Sequence, residues 1–434
     1  MDTSLRVYPR SRWFVLATIF IGYMALGMAI VAYSPIVGVI SGEFNITPGE
    51  VSLLAIGSFS IASAIASAVS GILFDKIGWV IPFAVATVIM AAGIFLTPYV
   101  TSTLTGILVT RILIGIASGP VTSCIANIAA EWFPAKERGT FNGVVSMGIT
   151  LGMMLTFQIV GSGMAMYNGD WRMAESGLFF GPIAAIVIMI VMLFVVKKTK
   201  SALPPMDTYN LDEAEGAKHD YAYVLKQPVY YLILIGMVCY GWVMNSWNDL
   251  IPGYLSIPAP VGIGFDQQTV GTLMTYTQIG SLLGGFCAGF FIDRVLKGRV
   301  RPVLIFAYIV MGISVLAVKF PAVYNDNPTL FHVCLFLVGF CMMTIIPSLS
   351  NFVARTFPGA IVGKVFATTF GVALLIAAIG VNFGSTMLYI TGTYQLPILI
   401  IGIVALVGVV PALTLYKPKR FLPEGATNKD MRRM

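Results

Sequence analysis

Apolar runs of about 20 residues or more recur along this 434-residue chain, and they limit its folding options more than any other feature. A run of that length crosses the hydrocarbon core of a bilayer as an α-helix. In lipid every backbone N–H and C=O must be satisfied internally, which leaves helices or closed barrels as spanning structures. These runs are continuous rather than alternating in polarity, so they read as helices. Charged residues make up 10% of the chain and hydrophobic ones 57%, whereas a soluble domain carries about 25% charged residues. Such a chain has no means of covering itself with a solvated face. The expected fold class is an all-α integral membrane protein with about twelve transmembrane helices.

The first run, 13–40, is far longer than a signal-peptide core and lacks a small-residue cleavage site, so it reads as a retained helix 1. Helices 2 to 6 are expected over 51–74, 80–99, 104–130, 140–164 and 174–196. The long polar segment 197–227, rich in Lys, Asp, Glu and Pro, reads as a linker outside the membrane. Helices 7 to 12 follow over 230–251, 270–292, 302–320, 330–354, 362–390 and 395–416, and a basic tail closes the chain. The expected organisation is an N-terminal six-helix bundle (1–196), a cytoplasmic linker (197–227) and a C-terminal six-helix bundle with its tail (228–434).

Charge sets the expected orientation. If the N-terminus and every second loop share one side, that side holds all 26 Lys and Arg residues except Arg111, Arg172 and Lys319. By the positive-inside rule both termini and the linker are cytoplasmic, in a plasma or bacterial inner membrane. The net charge of +7 is thus a topology signal, and nucleic acid is not an expected partner. The five cysteines all lie in apolar runs without metal-ligand spacing and read as packing residues. No phosphate loop, metal cluster or nucleophile constellation is present in the sequence, so neither an enzyme nor a cofactor is expected.

Two echoes divide the chain. N-I-A-A-E-W-F-P-A-K-E-R-G, from Asn127 to Gly139, aligns without a gap to N-F-V-A-R-T-F-P-G-A-I-V-G, from Asn351 to Gly363. G-I-L-F-D-K-I-G, from Gly71, aligns to G-F-F-I-D-R-V-L-K-G-R, from Gly289. The two offsets differ by only a few residues, as two pseudo-symmetric six-helix bundles require; repeats of this kind are a common construction in secondary transporters.

These loop motifs, with L-V-T-R-I-L-I-G-I-A-S-G in helix 4, resemble the signatures of the major facilitator superfamily over essentially the whole chain. G-D-W-R before helix 6 and W-F-P-A-K-E-R-G after helix 4 are most similar to its anion:cation symporter and organic-acid branch. There are departures. W-V-I-P follows Gly78 where further basic residues are usual, and Ser118 stands where that branch often has an acid. Helix 1 has no basic residue within it, and Gly152 is followed by Met153 rather than by the proline of drug antiporters. The resemblance implies a transporter working by alternating access, with helices 1, 4, 7 and 10 lining a cavity and 2, 5, 8 and 11 beside them.

Arg111 is the leading candidate for the site, because a cation within a spanning helix costs about 2.5–3.5 kcal/mol on insertion scales and so seeks a cavity or a partner. It either attracts an anionic substrate or holds a polar network between helices; an arginine snorkelling to the outer leaflet is the plainer alternative. In helix 7, Trp242, Asn245 and Asp249 share a face at i, i+3 and i+4 spacing, which suits a substrate path or an aromatic interface belt. The resemblance adds Tyr33, Gln158, Tyr276, Gln278 and Asn382 as lining residues, each alone also explained as a helix–helix hydrogen bond. Gly71, Asp75, Gly289, Asp293 and Arg294 at the loop motifs, with Arg138 and Arg355, have a gating rationale: carboxylates facing helix N-termini and cations across the cytoplasmic side. The expected cargo is a small organic anion of carboxylate type, moved by proton symport or anion exchange, by a protein acting as a monomer in the bilayer. Transport of a neutral or cationic solute, with Arg111 structural, is the alternative within transport; a membrane sensor or lipid-acting enzyme is the alternative outside it.

Overall fold

Helices carry the whole structure, a computed structural model that describes residues 8–134, 137–199, 211–296, 299–320 and 322–421. The side-chain environments at Gly71, Asp75, Arg138, Gly289 and Asp293 lie outside the described residues. No strand occurs among the residues described.

Helix α1 runs Arg12–Phe44 with a break in the middle. Its α-helical bonding stops at Ile30, and the Ser34 N–H turns back to the Val31 carbonyl. Pro35 has no N–H to offer, and a 3₁₀ turn, Ser34–Ile36, bridges to a final segment, Val37–Phe44. Asn45, in the left-handed region (φ 53°), ends it. Helix α2 covers 48–77. It begins earlier than its apolar run suggests, because Thr47 and Glu50 form a reciprocal capping box ahead of that run. A π turn, Leu53–Gly57, interrupts it before Ser58–Ile77. Then come α3 (Val80–Val100), α4 (Leu104–Trp132) and α5 (Arg138–Met166). Helix α6 (Trp171–Lys197) starts three residues ahead of the expected position, since Asp170 accepts the backbone N–H groups of Arg172 and Met173 as an N-cap.

The linker contains a helix, Leu211–Leu225, that its polar composition hid. Helices α7 (Pro228–Ser256), α8 (Gln267–Phe290), α9 (Arg301–Ala317), α10 (Pro328–Thr356), α11 (Gly359–Thr391) and α12 (Gln395–Thr414) complete the chain. Ten of these helices are long and apolar enough to cross a membrane. Of the other two, α8 is long but carries many Gln, Thr and Gly residues, and α9 is apolar but 17 residues long. That is about 26 Å of helix, slightly under a bilayer core of about 30 Å.

The chain folds as two compact units, one of Met1–Thr208 with Pro252–Thr275 and one of Tyr209–Ile251 with Tyr276–Met434. Within the first, α4 packs along α2 and α3, and α1 along α5 and α6. Small residues permit the close approaches: a Cβ on Gly27 would run into the Ile149 carbonyl of α5, and one on Gly119 into Ala66 of α2. The N-terminal end of α8 joins this unit, where Gly271 meets the Phe157 carbonyl of α5. Within the second unit α9 packs along α10 and α12, and the linker helix lies on α11. There Gly339 of α10 meets the Thr277 carbonyl of α8. The α2–α4 and α8–α10 pairs occupy equivalent places in the two sequence repeats, and both are seamed by glycine. Packing of small residues is the usual means by which helices associate in lipid, where no hydrophobic force drives them together.

Candidate functional site

Arg111 lies two turns into α4, with 0% of its surface exposed. Its Nε donates to the Ala55 carbonyl at 2.8 Å, Nη1 to Ala29 O at 2.8 Å and Nη2 to Ile30 O at 3.2 Å. Each acceptor lies beside a local fault in a helix. Ala29 and Ile30 end the first segment of α1, where Ser34 has turned to Val31, and Ala55 lies within the π turn of α2. The guanidinium therefore acts as a cap on a broken helix C-terminus, where a cation is favoured by the exposed carbonyl dipoles. It also stands over two rings, 5.0 Å from the centroid of Tyr33 and 4.7 Å from that of Phe59. Hydrogen bonds to a charged group are worth roughly 1.5–3 kcal/mol each, and three of them outweigh the insertion cost of about 2.5–3.5 kcal/mol. Snorkelling is thus not needed to keep Arg111 in the membrane.

Tyr33 is buried beside Arg111 and its ring packs against Trp171, with centroids 5.9 Å apart. There each residue of the G-D-W-R motif has its own part. Gly169 turns the chain in the left-handed region (φ 88°), and Asp170 caps α6. The Trp171 indole then donates to Glu43 Oε2 at 2.7 Å. Arg172 forks onto both oxygens of the same carboxylate, at 3.1 and 2.7 Å, donates to the Thr101 carbonyl and stands over the Trp171 ring at 4.3 Å. One turn further, Glu175 is buried with Arg111 and Arg172 within electrostatic reach. Glu43 and Glu175, absent from the expected site, thus belong to the same network as Arg111. The sequence does carry a signal for Glu175: it is four residues after Trp171, so the two share a face, and a buried tryptophan takes its neighbour inside.

In the second unit the helix 7 residues gather a different chemistry. Asp249 is 2% exposed, and its Oδ2 accepts from Ser385 of α11 at 3.3 Å. The neighbouring Asn248 accepts from Gln278 of α8 at 2.8 Å. Asn245 and Asn382 each donate to the carbonyl four residues back in their own helix. Trp242 packs against Phe383, 5.9 Å between centroids, and lies on Gly380. The cluster joins α7, α8 and α11 by amides, a hydroxyl, a carboxyl and aromatic rings. The remaining expected positions are used elsewhere. Gln158 donates to Thr275 Oγ1 at 2.7 Å, and the exposed Tyr276 stacks on His332. Arg294 is exposed, and Arg355 donates from Nε to Asn351 while its carbonyl accepts from Lys417.

The sequence profile of the Major Facilitator Superfamily matches residues 19–258 and 255–432, nearly the whole chain. A hexuronate transporter of Bacillus subtilis (strain 168) is 25% identical over 256 residues, a match spanning 58% of this chain and 58% of that one. The cis,cis-muconate transport protein of Acinetobacter baylyi is 25% identical over 419 residues, 93% of this chain and 94% of its own. Among solved structures, the D-xylose–proton symporter superposes with a TM-score of 0.68 over 95% of this chain and 98% of that one, at 16% identity, a likeness of fold. The chain belongs to the major facilitator superfamily, and it is a multi-pass membrane transporter rather than an enzyme.

Proposed function

We propose that the protein is a secondary transporter of a small organic anion bearing a carboxylate, working by alternating access. The observation that carries this reading is the buried guanidinium of Arg111. Ala29, Ile30 and Ala55 satisfy its hydrogen bonds with neutral dipoles, so a positive potential persists inside the bundle, where low dielectric strengthens it. A carboxylate is the small ligand such a field selects. Two relatives named for carboxylate-bearing compounds, hexuronate and muconate, support the same class. The halves 1–196 and 228–434, joined by a cytoplasmic linker, are the two moving bodies, and transport is by proton symport or anion exchange.

A second reading draws on the α7 cluster. Trp242, Asn245, Asn248 and Gln278 supply amides and an aromatic face, the usual means of holding a polyol or sugar without charge. Uptake into proteoliposomes decides between the two. Labelled glucuronate or muconate is expected to enter, and xylose, a neutral sugar, to be excluded. Entry of xylose with neither acid transported moves the site to the α7 cluster and leaves Arg111 structural.

A further inference from the structure

Glu175 lies one turn into α6, 3% exposed, and its Oε1 accepts no hydrogen bond. Buried carboxylates normally occur paired and fully bonded, because an ionised acid removed from water without partners costs several kcal/mol. The cations close to Glu175 are engaged otherwise. Arg172, on its own helix, is forked onto Glu43 at the end of α1 and bonded to the Thr101 carbonyl after α3. Arg111 of α4 donates to Ala29, Ile30 and Ala55. Tyr33 of α1 also lies within electrostatic reach of the acid. Glu175 therefore feels Arg111 and Arg172 through space while its Oε1 stays unbonded.

We propose that Glu175 is the proton-binding group that couples proton movement to anion transport; the role rests on the organic-anion reading of the cargo. Ionised Glu175 supplies negative charge to the field of Arg111, so a substrate carboxylate must compete with it. A proton taken up on Oε1 removes that competitor, and the incoming anion replaces the lost negative charge. Proton and anion then strengthen each other's binding by the same factor, whichever arrives first. When one proton and one monovalent anion such as glucuronate enter together, the charge around Arg111 is unchanged; a dianion such as muconate adds one negative charge. Release of the anion returns the proton to water. Ser118, at the place in α4 where an acid is frequent in the related branch, cannot carry a proton of this kind. Asp249, in the second unit, accepts from Ser385.

The test uses the full-length protein in proteoliposomes with labelled glucuronate and muconate. Wild type is expected to exchange at least one of these acids at equal pH on both sides, and to accumulate it when the outside is acidic. Its apparent affinity should fall about tenfold from pH 6 to 8, within the usual range of such couplings. Glu175→Gln should still exchange, with an affinity that no longer varies with pH and no accumulation on a pH gradient, and Glu175→Asp should restore both. Gradient-driven accumulation by Glu175→Gln at the wild-type level overturns the proposal. Should that variant fail to assemble, the wild type alone decides: adding the acid to purified protein in weak buffer must draw protons from solution, and no uptake rejects the role. Absence of any acid exchange by wild type refutes the cargo reading itself, an outcome distinct from exchange without proton coupling.

Discussion

Arg111 donates to Ala29, Ile30 and Ala55 on two helices, and a lysine in its place has one compact ammonium to offer three carbonyls. Arg111→Gln removes the charge as well and leaves the buried Glu175 with Arg172 alone as a nearby cation. Breaking a buried charge relation of this sort costs about 3–5 kcal/mol, which for a bundle of this size is a drop of roughly 10 °C in melting temperature. Arg111→Lys is expected to lose about half as much. The double variant Arg111→Gln/Glu175→Gln should recover part of the loss, because the unpaired carboxylate goes with its partner. Strictly additive losses, read by scanning fluorimetry in detergent, would show that the two residues do not interact. At this scale the arginine was legible and its surroundings were not. A cation in an apolar run stands out in any sequence. Its acceptors are backbone carbonyls, open because α1 stops bonding at Ile30 and α2 makes a π turn at Leu53–Gly57; Pro35 announces the first fault, and nothing in L-L-A-I-G announces the second. Glu175 escaped for a related reason: beside W-R it reads as an interfacial acid, and only the Asp170 cap, which starts α6 early, carries it inside.

Among whole helices, the seams between α2 and α4 and between α8 and α10 depend on an absent side chain. A methyl group on Gly339 would occupy the space of the Thr277 carbonyl, and backbone on both sides leaves little room to yield. Gly339→Ala is therefore expected to destabilise by about 1–3 kcal/mol, the range for overpacking. Gly143, exposed on α5 with nothing near its missing Cβ, is the control. Gly143→Ala should be neutral or stabilising by up to about 1 kcal/mol, through helix propensity alone. Equal melting temperatures for the two variants would rule out close packing at the α8–α10 seam. The helices themselves were largely readable, since bilayer thickness imposes one length on all of them. Their ends were less so. Caps such as Thr47 with Glu50 and Asp170 lie in polar stretches that look like loops, and the linker helix Leu211–Leu225 has no apolar run to reveal it. The glycine spacings were visible, but a spacing shows that a close approach is possible and leaves its partner helix unnamed.

For the molecule as a whole, orientation follows from where the charge sits. Every Lys and Arg other than Arg111, Arg172 and Lys319 falls on the side that carries the termini, the linker and the even-numbered loops. Positively charged loops are retained in the cytoplasm during insertion, so that side is predicted to be internal. The turn at Asn168–Gly169, where both residues adopt positive φ ahead of the Asp170 cap, is then external, along with the Glu43–Arg172 pair and the start of α6. This matters for coupling, because Glu175 would lie near the outer end of its helix and take its proton from the external medium. A fluorescent protein fused after Met434 should fold and fluoresce, and alkaline phosphatase fused there should be inactive. Phosphatase fused at Asn168 should be active. The reverse pattern would overturn this orientation and place Glu175 nearest the cytoplasm, while the direction of net transport, set in either case by the proton and anion gradients, would stay the same.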